Sequence, residues 1–140
     1  MTPPAAVSAE ALSPKPLRIL AVDDQSLFLE ALTIVLSSAP DLEVIAWGGD
    51  GVQGVELALS LRPDVVLMDV EMPRMDGFEA TKRITDSLPE TAVVMVTGSG
   101  HVADVERACA AGAAAYVTKD QLATSLAASI RAAASRLRPP

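Results

Sequence analysis

Hydrophobic positions along this chain follow two rhythms that take turns. Short apolar runs rich in branched residues occupy 17–22, 43–47, 65–68, 92–96 and 114–117. Each is too short for a helix and is bounded by Pro, Gly or Asp, so each predicts a strand. The runs at 65–68 and 92–96 are nearly continuous, as in strands buried on both faces of a parallel sheet. Between the runs the apolar residues recur at helical spacing. After Ser26, a candidate cap, they fall at Phe28, Leu32, Val35 and Leu36, and Pro40-Asp41 breaks the pattern. A second helix, reaching about Leu61, has Val55, Ala58 and Leu59 inward, and Asp50 followed by Gln53 resembles a capping box at its start. Asp76 and Glu79 mark a third start, with Ile84 and Leu88 inward and Pro89 closing it. A fourth helix over 101–111 has Val102, Val105 and Cys109 as its stripe, and Gly112 suits a C-terminal cap. Asp120 opens a fifth, with Leu122, Leu126, Ile130 and Leu137 on one side and Arg131, Arg136 and Arg138 toward its end.

Five strands alternating with five helices predict an α/β fold: one parallel sheet, right-handed crossovers and helices on both faces. The 140 residues suit one domain with a sizeable core. Residues 1–15, rich in Pro, Ala and Ser, are expected to form a disordered leader, and 16–138 the folded domain. The net charge of −7 gives no general attraction to nucleic acid or anionic membrane, but suits a divalent cation or a basic partner. The single cysteine, Cys109, is expected to be a small buried hydrophobe, and with no internal disulfide available the expected location is cytoplasmic. Trp47 is expected to be a partly buried strand residue. No stretch has the apolar length to span a bilayer, and the leader lacks the features of a signal peptide. Gly48-Gly49-Asp50-Gly51 lacks the spacing and Lys of a phosphate loop, so it is a turn.

The chemistry gathers at the strand ends. Strand one runs into Asp23 and Asp24, strand three into Asp69, strand four into Thr97, and strand five leads to Lys119. In a parallel sheet these ends share one edge. Three carboxylates there repel one another unless cations neutralise them, and one Lys is too little. A hard divalent ion with oxygen ligands, Mg²⁺, fits the remainder, and it would accept phosphate oxygens. Asp69 could then act as a nucleophile toward phosphorus, with Lys119 and the metal offsetting charge on the transferred oxygens.

Val22-Asp23-Asp24, Pro63-Asp64 through Met68-Asp69, Met72-Pro73-Arg74-Met75-Asp76-Gly77, Val96-Thr97 and Tyr116-Val117-Thr118-Lys119 together resemble the receiver domain of two-component response regulators. The resemblance runs from Leu17 to Leu137. It implies a flavodoxin-like fold with strand order 2-1-3-4-5, and receiver boundaries of 16–138. It implies Asp69 as phosphoacceptor, Asp24 as a direct Mg²⁺ ligand, Asp23 acting through metal-bound water, and Glu71 ligating the metal by its backbone carbonyl. Thr97 and Lys119 match the pair that contacts the phosphoryl group, and Tyr116 the aromatic that moves with the threonine. Lys119 is followed by Asp120 where many receivers have Pro; without Pro a cis bond there is not expected. That ending and the Asp24-Gln25-Ser26-Leu27-Phe28 start are similar to the branch that carries helix-turn-helix output domains.

The implied partners are a sensor histidine kinase or phosphotransfer protein, a downstream protein, and a second copy of the chain. Direct binding to nucleic acid or membrane is not implied. The implied protein is not an enzyme acting on external substrates; it catalyses its own phosphorylation and dephosphorylation. Two readings stand beside it: a receiver-fold scaffold independent of phosphorylation, and a phosphatase with an aspartyl nucleophile, for which Glu71 would be the second carboxylate. The chain is either a stand-alone receiver, which its leader and Pro139-Pro140 end favour, or part of a longer regulator.

Overall fold

A computed structural model describes residues 15–98 and 102–137. Residues 1–14 of the predicted leader and Arg138 lie outside those residues, as do Ser99, Gly100 and His101.

Five strands, β1 (Leu17–Val22), β2 (Leu42–Gly48), β3 (Val65–Asp69), β4 (Ala92–Thr97) and β5 (Ala115–Thr118), form one sheet in the order β2-β1-β3-β4-β5. All four pairings are parallel. The helices are α1 (Ser26–Ser37), α2 (Gly51–Leu61), α3 (Gly77–Ser87), α4 (Val102–Ala111) and α5 (Leu122–Leu137), with a 3₁₀ turn over Lys119–Gln121 before α5. This is the flavodoxin-like fold and strand order that the receiver resemblance implies, built on the parallel sheet that the strand–helix alternation predicts.

Strand residues point alternately to two cores, because successive side chains leave a strand on opposite faces. Ile19, Ala21, Val65, Leu67, Val94 and Val96 meet Leu29, Leu32 and Leu36 of α1 and Leu126, Ile130 and Ala133 of α5. Leu20, Val22, Val66, Met68, Val93 and Met95 meet Ala58 of α2, Phe78 and Ile84 of α3 and Ala108 of α4. The central strands are thus apolar on both sides and read as continuous runs. β2 is one edge of the sheet and β5 the other, and the β2 register against β1 slips between Ile19 and Leu20.

Several helix faces are rotated from their sequence prediction. In α1 the buried residues are Leu29, Leu32 and Leu36, while Phe28 is half-buried and Val35 exposed. In α2 Ala58 is buried and Val55 packs at the margin, but Leu59 is exposed and Leu57 is the partly buried leucine. In α4 the buried positions include Ala108 and Ala111; Val105 is exposed, and so is Cys109, which is not a core hydrophobe. In α2 and α4 the covered positions are small, Gly54 and Ala58 in one and Ala108 and Ala111 in the other, and the larger Leu59 and Val105 lie at the exposed edge. Trp47 is more exposed than expected, and its indole N–H donates to Thr33 Oγ1 at 3.0 Å. Ser26 is the first residue of α1, not its cap; Gln25 holds that position without a side-chain bond.

Asp50 and Asp76 cap as read, whereas Asp120 lies in the 3₁₀ turn before α5 and its Oδ1 accepts from the Thr118 hydroxyl. Asp50 Oδ1 accepts from the Gln53 N–H at 2.8 Å, and Gln53 Oε1 accepts from the Gly49 N–H. Asp76 Oδ1 accepts from the Glu79 N–H at 2.9 Å. Gly112 ends α4 at a φ of +98°, left-handed backbone that favours glycine. Among the described residues there is no cis peptide bond, so Lys119–Asp120 is trans. No helix among them is long and apolar enough to cross a membrane.

Candidate active site

Strand register builds the site. Val22 pairs with Met68, so the next residues, Asp23 and Asp69, emerge side by side. Asp69 pairs with Val96, which puts Thr97 one step beyond it, and Thr97 pairs with Thr118, one residue before Lys119. The strand order reverses between β1 and β3, and the crevice of an open α/β sheet opens at such a switch point. A cleft of about 360 Å³ is lined there by Asp24, Gln25, Asp69, Glu71, Thr97, Gly98 and Lys119.

Carboxylate oxygens of Asp23, Asp24 and Asp69 lie within 4.8 Å of one another. Asp23 is buried, with Oδ1 accepting from the Gln25 N–H at 2.9 Å and Oδ2 from Lys119 Nζ at 3.0 Å. Asp24 is exposed at the cleft mouth. Lys119 Nζ is 3.6 Å from Asp69 Oδ1. Burial, and then the charge of Asp23, raise the Asp69 pKa to about 6; Lys119 and the Val70 N–H oppose them without prevailing. One ammonium therefore leaves the three acids under-neutralised, and hard oxygen donors in that state suit a hard divalent cation.

Thr97 is buried, and its side chain is hydrogen-bonded to Tyr116. Burial pushes the Tyr116 phenol up, and that hydrogen bond pulls it the other way. All six side chains named from sequence for the site therefore converge: Asp23, Asp24, Asp69, Thr97 and Lys119 around the cleft, and Tyr116 behind Thr97. Glu71 lines the same cleft with its side chain exposed.

Residues 19–131 match the response regulator receiver domain family. The chain belongs to that family. The receiver is 40% identical over 117 residues to transcriptional regulatory protein LiaR of Bacillus subtilis, covering 84% of this chain and 56% of that protein. It is 48% identical over 107 residues to protein-glutamate methylesterase/protein-glutamine glutaminase 5 of Geobacter metallireducens, covering 74% of this chain and 29% of that one. The receiver thus spans about half the length of LiaR, and less of the methylesterase. Among solved structures, the response regulator domain of Thermotoga maritima CheB superposes with a TM-score of 0.80 at 34% identity, over 86% of this chain and 98% of that one. The receiver domain of NarL from Mycobacterium tuberculosis gives 0.76 at 29% identity, over 84% and 98%.

Sequence reasoning missed several residues of the receiver site. The Phe28 ring lies beside the Lys119 ammonium, its centroid 4.2 Å from Nζ. The signal was its place in the first turn of α1, four residues after Asp24. Gln25 lends the backbone N–H that fixes Asp23. Arg74, at a φ of +71°, pairs with Asp50 at 3.2 Å and ties the loop after Asp69 to the start of α2. Asp64, at the head of the motif that ends in Asp69, acts away from the cleft. Its Oδ2 accepts from the Arg18 N–H and so joins the starts of β1 and β3.

Proposed function

We propose that Asp69 of this receiver accepts a phosphoryl group from a phosphohistidine of a sensor kinase or phosphotransfer protein, and that the resulting acyl phosphate switches a protein-binding surface. The observation that carries this is the under-neutralised trio: three carboxylates within 4.8 Å, with Asp69 raised to about 6 beside an ammonium at 3.6 Å. A carboxylate oxygen of Asp69 forms the new P–O bond as the P–N bond of the donor breaks, and the imidazole leaves with its electron pair. Lys119 stabilises charge on the transferred oxygens, and Thr97 donates its hydroxyl to one of them. Asp24 and Asp69 would hold Mg²⁺ directly, with the Glu71 backbone carbonyl, and Asp23 through water. Bound there, Mg²⁺ supplies Lewis-acid charge neutralisation for phosphoryl oxygens. In this mechanism the Thr97 hydroxyl turns toward the phosphoryl group and gives up its Tyr116 partner. Tyr116 follows, and the surface of α4, β5 and α5 shifts between two arrangements already in equilibrium.

The name of LiaR, a transcriptional regulatory protein, supports a transcriptional output carried by another segment of a longer protein. On that reading this receiver contacts protein, in the cytoplasm, and not DNA, and it turns over only its own phosphoryl group.

Incubation with acetyl phosphate and Mg²⁺ followed by intact mass tests the proposal. One phosphoryl adduct, lost in Asp69→Asn, is the expected result. A wild type left unmodified at saturating donor would favour the scaffold reading, and turnover of external phosphomonoesters the phosphatase one.

A further inference from the structure

The Lys119 ammonium has three close neighbours: Asp23 Oδ2 at 3.0 Å, Asp69 Oδ1 at 3.6 Å, and the face of the Phe28 ring at 4.2 Å from its centroid. We propose that Phe28 is a positioning residue, whose ring holds the Lys119 ammonium against the Asp69 carboxylate by a cation–π contact and thereby sets the rate of phosphorylation. The proposal rests on Asp69 being the phosphoacceptor.

Lysine ends in a compact charge on a flexible stem, so its placement depends on what surrounds the ammonium. Two of the three neighbours are carboxylates whose hold on the ammonium differs between states of the site. A divalent cation beside Asp23 would weaken that acid's pull on the ammonium, and phosphorylation would bond an Asp69 oxygen to phosphorus. The third neighbour does not titrate and binds no metal. A ring attracts a cation through its quadrupole, which is the same in every state of the site. Phe28 is also well anchored. It lies in the first turn of α1, its N–H donating to the Gln25 carbonyl at 3.0 Å, and its ring packs against the α1–α5 core. The Lys119 side chain is only one-quarter exposed, so the ring meets a partly desolvated charge, where such contacts are stronger.

Packing alone is the competing role for Phe28, and ring fluorination separates the two. Mono-, di- and trifluorophenylalanine keep the ring's shape while progressively removing the negative face. The maximal rate with acetyl phosphate and saturating Mg²⁺ is expected to fall stepwise through that series. Phe28→Leu should lower it by on the order of fivefold, and Phe28→Tyr should restore it. Phe28→Leu should change nothing in a Lys119→Gln background, since the ring then has no cation to hold. In the unphosphorylated protein, the Lys119 side-chain NMR signals should show an upfield ring-current shift that Phe28→Leu removes and Phe28→Tyr keeps. A flat rate across the fluorinated series, or an equal loss in the Lys119→Gln background, overturns the positioning role and leaves the phosphoacceptor reading intact. A wild type that takes up no phosphoryl group overturns both, whatever the NMR shift shows.

Discussion

A Cβ placed on Gly77 would stand 1.9 Å from the backbone carbonyl oxygen of Asp69, and 3.0 Å from Val70 Cα. The start of α3 is therefore seated directly on the end of β3. The Gly77 N–H donates to the Val70 carbonyl at 2.8 Å, which closes the loop over residues 70–77. That loop carries Glu71, and its other side rests on Gly51, where a Cβ would come within 2.2 Å of the Met75 carbonyl. Neither contact can relax by moving a flexible side chain, because both involve backbone.

Gly77→Ala should consequently damage both the fold and the site. Forcing the loop off β3 should cost about 1–3 kcal/mol of stability, as overpacking does. Urea unfolding measures this. Intact mass after acetyl phosphate treatment should show less adduct than wild type at a temperature where the variant is still folded.

The raised pKa of Asp69 gives a pH dependence with a defined sign. A carboxyl raised from 3.8 to about 6 binds its proton more tightly folded than unfolded. Its contribution to stability is fully present below about pH 4, is lost as pH rises toward 6, and stays lost above; the shift amounts to about 2–3 kcal/mol. Asp69→Asn removes this loss. Without divalent cation it should be more stable than wild type at pH 7, and the gap should close below pH 4. Urea titrations of both proteins across pH 4–8 check it.

Saturating Mg²⁺ should offset the same repulsion and raise the wild-type melting temperature. A ligand at a hundred times its dissociation constant stabilises by about 2.7 kcal/mol. Asp24→Asn should lose most of that gain while melting close to wild type without metal, because Asp24 is exposed and its charge only adds to the repulsion at Asp69. An equal gain in the variant would remove Asp24 from the metal site.

Two glycines should answer oppositely to alanine. Gly112 holds a φ of +98°, and a Cβ there would meet Thr85 Oγ1 at 2.7 Å, so Gly112→Ala should cost about 1–3 kcal/mol. Gly98 has nothing within 4 Å of the position a Cβ would take. Gly98→Ala should be neutral or stabilising by up to about 1 kcal/mol, through the unfolded chain's lost freedom. Thermal unfolding of the two variants side by side decides both.

The order of elements, the parallel sheet and the residues that meet at its edge were all legible in the chain before folding. The reason is local: strands buried on both faces must be continuous apolar runs, so Val65–Asp69 and Ala92–Thr97 announce themselves, and the polar residue ending each run must stand at the strand's end. Asp50, Asp76 and Gly112 were legible for the same reason, since a cap is a contact within a few residues. Tertiary packing decided what local pattern leaves open. Cys109 and Val105 are outside because Ala108 and Ala111 suffice where α4 comes close to its neighbours, and a helical stripe does not say which edge of itself will be covered. Phe28 meets Lys119 across 91 positions of chain, and Gly77 meets the Asp69 carbonyl through the height at which α3 is seated. Such contacts depend on how elements are placed in space, and a residue's sequence neighbours carry no trace of that.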